Sequence, residues 1–229
     1  MHLPSRPLFV LAAAALLLGA LGLACAGTAP ECTGACSCSG TNCTCEAGGT
    51  CTFGGGSADA GSGAALPSNL TFDCSRNNTC DVTCGTSCTS HCANDTTCTG
   101  TCGANCDTSC AAKSTCTQSI GDNSVAQCTG TSACTVATGS SSQVTCGGGS
   151  TCDVTLAPSS SLDCQGTSTC NVTCADGGCT VACAGDAVCT CSLTGCTLNC
   201  GAGDAGTAGN RSAKDCAGKL TCVKNGQCP

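Results

Sequence analysis

Thirty-three of the 229 residues are cysteine. Sulfur at that density has three chemistries open to it: a thiolate nucleophile, a metal–thiolate cluster, or a disulfide framework. The spacing discriminates among them. Cys74, Cys92, Cys110, Cys128, Cys146 and Cys164 stand 18 residues apart, and six residues after each comes Cys80, Cys98, Cys116, Cys134, Cys152 and Cys170. Cys183 and Cys189 repeat the pair one residue late, and Cys200 restores the phase. A second pair of places is optional. Cys84 occurs with Cys88, Cys102 with Cys106, and Cys174 with Cys179, while the units between carry Ile120 with Ser124, Thr138 with Ser142 and Leu156 with Ser160. Joint gain and joint loss within one chain argue that the optional places bond to each other. The fixed places leave two partners open, since Cys80 can reach back to Cys74 or onward to Cys92; analogy with the optional places favours the local partner. Paired sulfur is no thiolate, so a cysteine nucleophile is disfavoured.

The elements that must hold these sulfurs follow from the residues between them. Cys152-Val154-Leu156, Cys170-Val172-Cys174 and Cys179-Val181-Cys183 alternate with polar residues, and a period of two places one set of side chains on one face of a strand. Between the strands lie turn formers such as Ala175-Asp176-Gly177-Gly178. Each unit therefore supplies two short strands and two turns. The expected fold is all-β: a disulfide-rich β-solenoid, β-helix or β-roll-like, of about seven 18-residue coils plus capping coils. Cys, Val and Leu point inward, and Thr, Ser, Asp and Asn outward. Gln118 falls on an inward place without a sequence-level reason. Residues 27–53 read as a Cys-rich N-terminal cap, 54–65 as a Gly/Ala/Ser loop, 66–200 as the solenoid, and 201–229 as a C-terminal loop and cap. In that last segment Cys216 and Cys222 repeat the six-residue step. The ends of the stack are self-assembly surfaces unless the end coils cover them.

Composition narrows the function. After residue 26 only 19 Leu, Val, Ile and Phe side chains remain, too few for an ordinary core of about 200 residues; crosslinks must offset the chain entropy instead. Acidic residues exceed basic ones by eight after residue 26, and the chain has no Trp or Tyr. Nucleic acid is excluded on both counts, for want of a basic stripe and of stacking platforms. His91 is the one histidine beyond the first 26 residues and has no repeated partner, so the chain reads as no enzyme, with no cofactor. Cys36-Ser37-Cys38 and Cys43-Thr44-Cys45 resemble metallothionein spacing, which keeps a metal-binding Cys-rich protein as one alternative. The unit also resembles the calcium β-roll of RTX repeats. However, its G-G-x-G-x-D motif is missing, since Gly147-Gly148-Gly149-Ser150 carries no Asp.

Residues 1–26 read as a signal peptide, with Arg6 followed by an apolar run from Leu8 to Leu23. Two endings compete. Ala24-Cys25-Ala26 is a small-residue cleavage site before Gly27, whereas Gly22-Leu23-Ala24-Cys25 resembles a bacterial lipobox, which implies a lipidated Cys25 and membrane anchoring. Removing or lipidating Cys25 leaves 32 cysteines, an even number. The expected location is secreted or on the outer cell surface, with the partner unknown.

One face draws a further expectation. Thr97-Cys98-Thr99-Gly100-Thr101 and Thr115-Cys116-Thr117 lie one unit apart. The T-C-T element resembles the disulfide-stacked β-helical antifreeze proteins of insects, which implies an ice-binding face on Thr97, Thr99, Thr101, Thr115 and Thr117. Asp81, Asp153, Ala133 and Val188 interrupt that pattern in other units. The leading expectation is a non-enzymatic, exported, cell-surface or envelope structural or adhesive solenoid, with ice binding as its alternative.

Overall fold

The computed structural model describes residues 31–54, 66–176, 178–192, 194–201, 211–224 and 228. The signal-peptide reading, Cys25 and nearly all of the two loops inferred from composition lie outside the described residues.

A cap of β1 (Glu31–Gly34) and β2 (Cys36–Ser39) comes first, followed by strands in pairs. These are β3 (Asn42–Cys45) and β4 (Thr50–Gly54), β5 (Thr71–Ser75) and β6 (Thr79–Cys84), β7 (Thr89–Ala93) and β8 (Thr97–Cys102), and β9 (Asp107–Cys110) and β10 (Thr115–Ile120). Then come β11 (Val125–Cys128) and β12 (Ala133–Thr138), β13 (Gln143–Cys146) and β14 (Thr151–Leu156), β15 (Ser161–Cys164) and β16 (Thr169–Cys174), and β17 (Cys179–Cys183) and β18 (Val188–Ser192). Strand β19 (Cys196–Cys200) and a hairpin of β20 (Arg211–Cys216) and β21 (Lys219–Lys224) close the chain.

The chain winds as a β-solenoid. Odd-numbered coil strands from β3 to β19 stack in one parallel sheet, and even-numbered ones from β4 to β18 in a second. Residue i sits beside residue i+18, as Cys116 does beside Cys134. The late arrival of Cys183 is absorbed at a corner: Cys174 and Cys179 are 5 apart where Cys84 and Cys88 are 4 apart. Strand register then resumes, with Ser161 beside Thr180. Parallel stacking leaves open edges, and antiparallel strands cover three of the four, β19 ending its sheet without one among the described residues. β1 lies against β4 and β2 against β3 at one end, and β21 lies against β18 at the other. The cap inferred from residues 27–53 thus includes strands β3 and β4, which already pair in parallel with the first regular coil.

Sulfur fills the interior. Fifteen disulfides join the described cysteines, nearly all of them within one coil. Cys74–Cys80, Cys92–Cys98, Cys110–Cys116, Cys128–Cys134, Cys146–Cys152, Cys164–Cys170 and Cys183–Cys189 each lock one corner. Cys84–Cys88, Cys102–Cys106 and Cys174–Cys179 lock the opposite corner of their coils. The six-residue step read at Cys216 and Cys222 is not a bridge. Cys222 bonds Cys200 and Cys216 bonds Cys228, because β21 runs back along β18 rather than forward into a new coil.

The coils without the optional bridge are held differently. Apolar Ala126, Val144 and Leu162 are buried there. The serines at the vacated places also form a ladder. Ser142 Oγ accepts from the Ser124 amide at 3.1 Å and donates to the Gly121 carbonyl at 3.0 Å, and Ser160 repeats this with Ser142 N and Gly139 O. The corner is tight, since a Cβ on Gly121 would sit 2.6 Å from the Gly103 carbonyl carbon. Ser142→Ala strands one buried amide and one carbonyl, and chemical denaturation is expected to show a loss of about 1–3 kcal/mol.

Gln118 is buried as the sequence places it. Its neighbours along the inward column are Gly100 and Val136. The side chain missing at Gly100 leaves a cavity that Gln118 lines together with Ser90, Thr108, Val82, Phe72 and Ile120. A Cβ at Gly100 would make only ordinary contacts, 3.5 Å to the Val82 carbonyl oxygen and 3.8 Å to Val82 Cβ. Gly100→Ala is expected to raise stability by about 0.5–1 kcal/mol in a denaturation experiment, because strand-interior glycine costs that much relative to alanine.

Candidate functional site

The parallel register makes long columns of like side chains on the outside of the even-numbered sheet. Thr97 lies beside Thr115, Thr99 beside Thr117, and Thr101 beside Ser119. Thr135 extends the middle column, Thr79 continues the first column toward the N-terminal end, and Thr151 and Thr169 toward the other. All of these side chains are exposed. The T-C-T elements of two adjacent strands thus become one patch three columns wide. Its interruptions lie in the columns themselves: Asp81 beside Thr99, Ala133 beside Thr115, Asp153 beside Thr135, and Val188 beside Thr169. Past Asp153 the middle column bonds along itself, with Asn171 Nδ2 donating to Asp153 Oδ1 at 2.9 Å and Thr190 Oγ1 to Asn171 Oδ1 at 2.8 Å. That stretch is a crosslinked polar strip rather than a free hydroxyl array.

The other sheet brings together three residues that were not read as a group. Asp73, His91 and Ser109 occupy one outward column on β5, β7 and β9. His91 Nδ1 and Ser109 Oγ are 2.6 Å apart. The signal is present in the period, since 73, 91 and 109 are 18 apart, but three different residue types do not show as a repeat. Chemically the row is a solvent-exposed hydrogen bond. Among the described residues no hydrogen bond joins Asp73 to His91, so the exposed His91–Ser109 pair is not oriented by that carboxylate.

Sulfurs of successive bridges also approach one another. Those of Cys174, Cys179, Cys191 and Cys196 all lie within 4.8 Å, yet they belong to the Cys174–Cys179 and Cys191–Cys196 bridges and offer no thiolate to a metal. Cys32 and Cys36 are the free thiols among the described residues. Burial, followed by the hydrogen-bonded Cys32 thiol beside it, pushes the Cys36 thiol up to about 12. The Glu46 carboxylate adds to the rise.

No protein family, no curated protein and no solved structure matches this chain.

Proposed function

We propose that this chain is a non-enzymatic, exported structural or adhesive module of the cell surface or envelope. The observation that carries the reading is that each coil is closed by its own bridge. A crosslink confined to one coil keeps that coil shaped without help from distant parts of the chain, which suits a stiff spacer that displays its outer faces. Extensive disulfides are consistent with an oxidising, extracellular setting. The apolar N-terminal run supplies the export signal, and Cys25, if lipidated, the anchor. Labelling intact source cells with an antibody to the solenoid tests this. Surface staining removed by external protease is expected, whereas a protein found only inside the cell with reduced cysteines overturns the reading.

One observation favours a second reading. Thr97, Thr99, Thr115 and Thr117 form a register-matched patch of exposed hydroxyls, the kind of regular surface that an ice-binding face needs. Thermal hysteresis by the purified, oxidised protein, lost in Thr99→Leu and Thr117→Leu variants, is the result this reading expects; folded protein without hysteresis or ice shaping removes it. The third reading, a metal-binding Cys-rich protein, is left with Cys32 and Cys36 as its described thiols.

A further inference from the structure

We infer that Cys32 and Cys36 are the two halves of a sixteenth bridge, which closes the first corner of the N-terminal cap. Three observations place it there. Cys32 is in β1 of the even-numbered sheet and Cys36 in β2 of the odd-numbered one; both strands are antiparallel to their neighbours, so the short link between them caps the corner locked by Cys45–Cys51, opposite the corners locked by Cys84–Cys88 and Cys102–Cys106. Their separation equals the 4 residues of those two bridges. Cys32 lies beside buried Phe53 and Cys36 beside Cys45, and both pack against the core. Around them the cap is already crosslinked: Cys45, the register partner of Cys36, is bonded to Cys51, the register partner of Gly34.

The step needs an oxidant, and a disulfide donor of the export compartment supplies it. The Cys32 sulfur attacks one sulfur of the donor, forming a mixed disulfide and expelling the first donor thiolate. The Cys36 sulfur then attacks Cys32, and the second donor thiolate leaves. Two protein thiols are oxidised to one disulfide, one donor disulfide is reduced to two thiols, and the two thiol protons pass to the leaving groups. The roles of the two sulfurs are interchangeable in this exchange. With this bridge formed, the 32 cysteines that follow Cys25 pair among themselves.

The test is differential alkylation of protein exported by an oxidising host. Free thiols are labelled in denaturant with one reagent, bridges are reduced, and the released thiols are labelled with a second. Peptide mass spectrometry is expected to find only the second label on Cys32 and Cys36, and, without reduction, a species linking the two. First label on both residues, or their linkage to other cysteines, overturns the inference; so does labelling that appears only after a chelator is added. Removing the pair leaves the fixed corners intact, so the Cys32→Ser/Cys36→Ser protein keeps its strand spectrum. Its amide exchange is expected to accelerate about tenfold or more in Glu31–Gly34 and Thr50–Gly54 and to stay unchanged from β9 onward. Unaltered exchange in β1 and β4 counts against the bridge.

Discussion

Full reduction unfolds this protein: its far-ultraviolet strand spectrum is expected to collapse to that of a coil once every bridge is opened and alkylated, at a temperature where the oxidised protein is untouched. A bridge across so short a corner is worth about 2 kcal/mol of unfolded-state entropy on the chain-entropy model. Native domains are stable by only about 5–15 kcal/mol in total, so loss of a handful of such bridges already exhausts the net stability. The apolar interior offers little in reserve. Its largest fully buried side chains are Phe53, Phe72, Leu156 and Leu162, and most of the other inward places along the fixed corners are cysteine. Circular dichroism of the reduced, alkylated protein measures the effect.

Phe72→Ala should be the most damaging single apolar truncation. Phe72 is fully buried, and its ring lies 5.2 Å from that of Phe53, tilted by 47°. It also walls the cavity left by Gly100, so alanine enlarges an existing gap instead of letting neighbours close around it. Truncating a buried phenylalanine costs about 3–5 kcal/mol. A stack in which each coil touches only its neighbours spends that loss locally. Hydrogen exchange is therefore expected to accelerate in β4, β5 and β6 while β13 to β16 keep their protection. Uniform loss of protection along the stack would show that the coils unfold as one unit.

The fold was legible because a solenoid writes its geometry into the chain. A place that faces inward in one coil faces inward in the next, so Cys110, Cys128 and Cys146 expose the period, and Cys152-Val154-Leu156 exposes the strand. Chain-end topology was not legible. Cys216 and Cys222 keep the six-residue step, but spacing cannot reveal that β21 reverses direction. Gln118 was visible as an exception, while its reason sits one coil away in the missing side chain of Gly100. Ser124, Ser142 and Ser160 registered only as lost cysteines, since what they gain, hydrogen bonds to the next coil, depends on stacked backbones. Among the surface residues, the columns of Thr97 with Thr115 and Thr99 with Thr117 could be read from the period. The row of Asp73, His91 and Ser109 has the same spacing, but its three unlike side chains do not stand out as a column. What such a face binds is not written in periodicity, because a repeat specifies where hydroxyls stand and not what meets them.

The most direct test of coil-by-coil closure is the bridge map of the oxidised protein, read by mass spectrometry of unreduced peptides. Local linkage is expected throughout the regular coils, with Cys110 to Cys116 and Cys128 to Cys134. Linkage between coils, such as Cys116 to Cys128, or free thiols at these places, would contradict it.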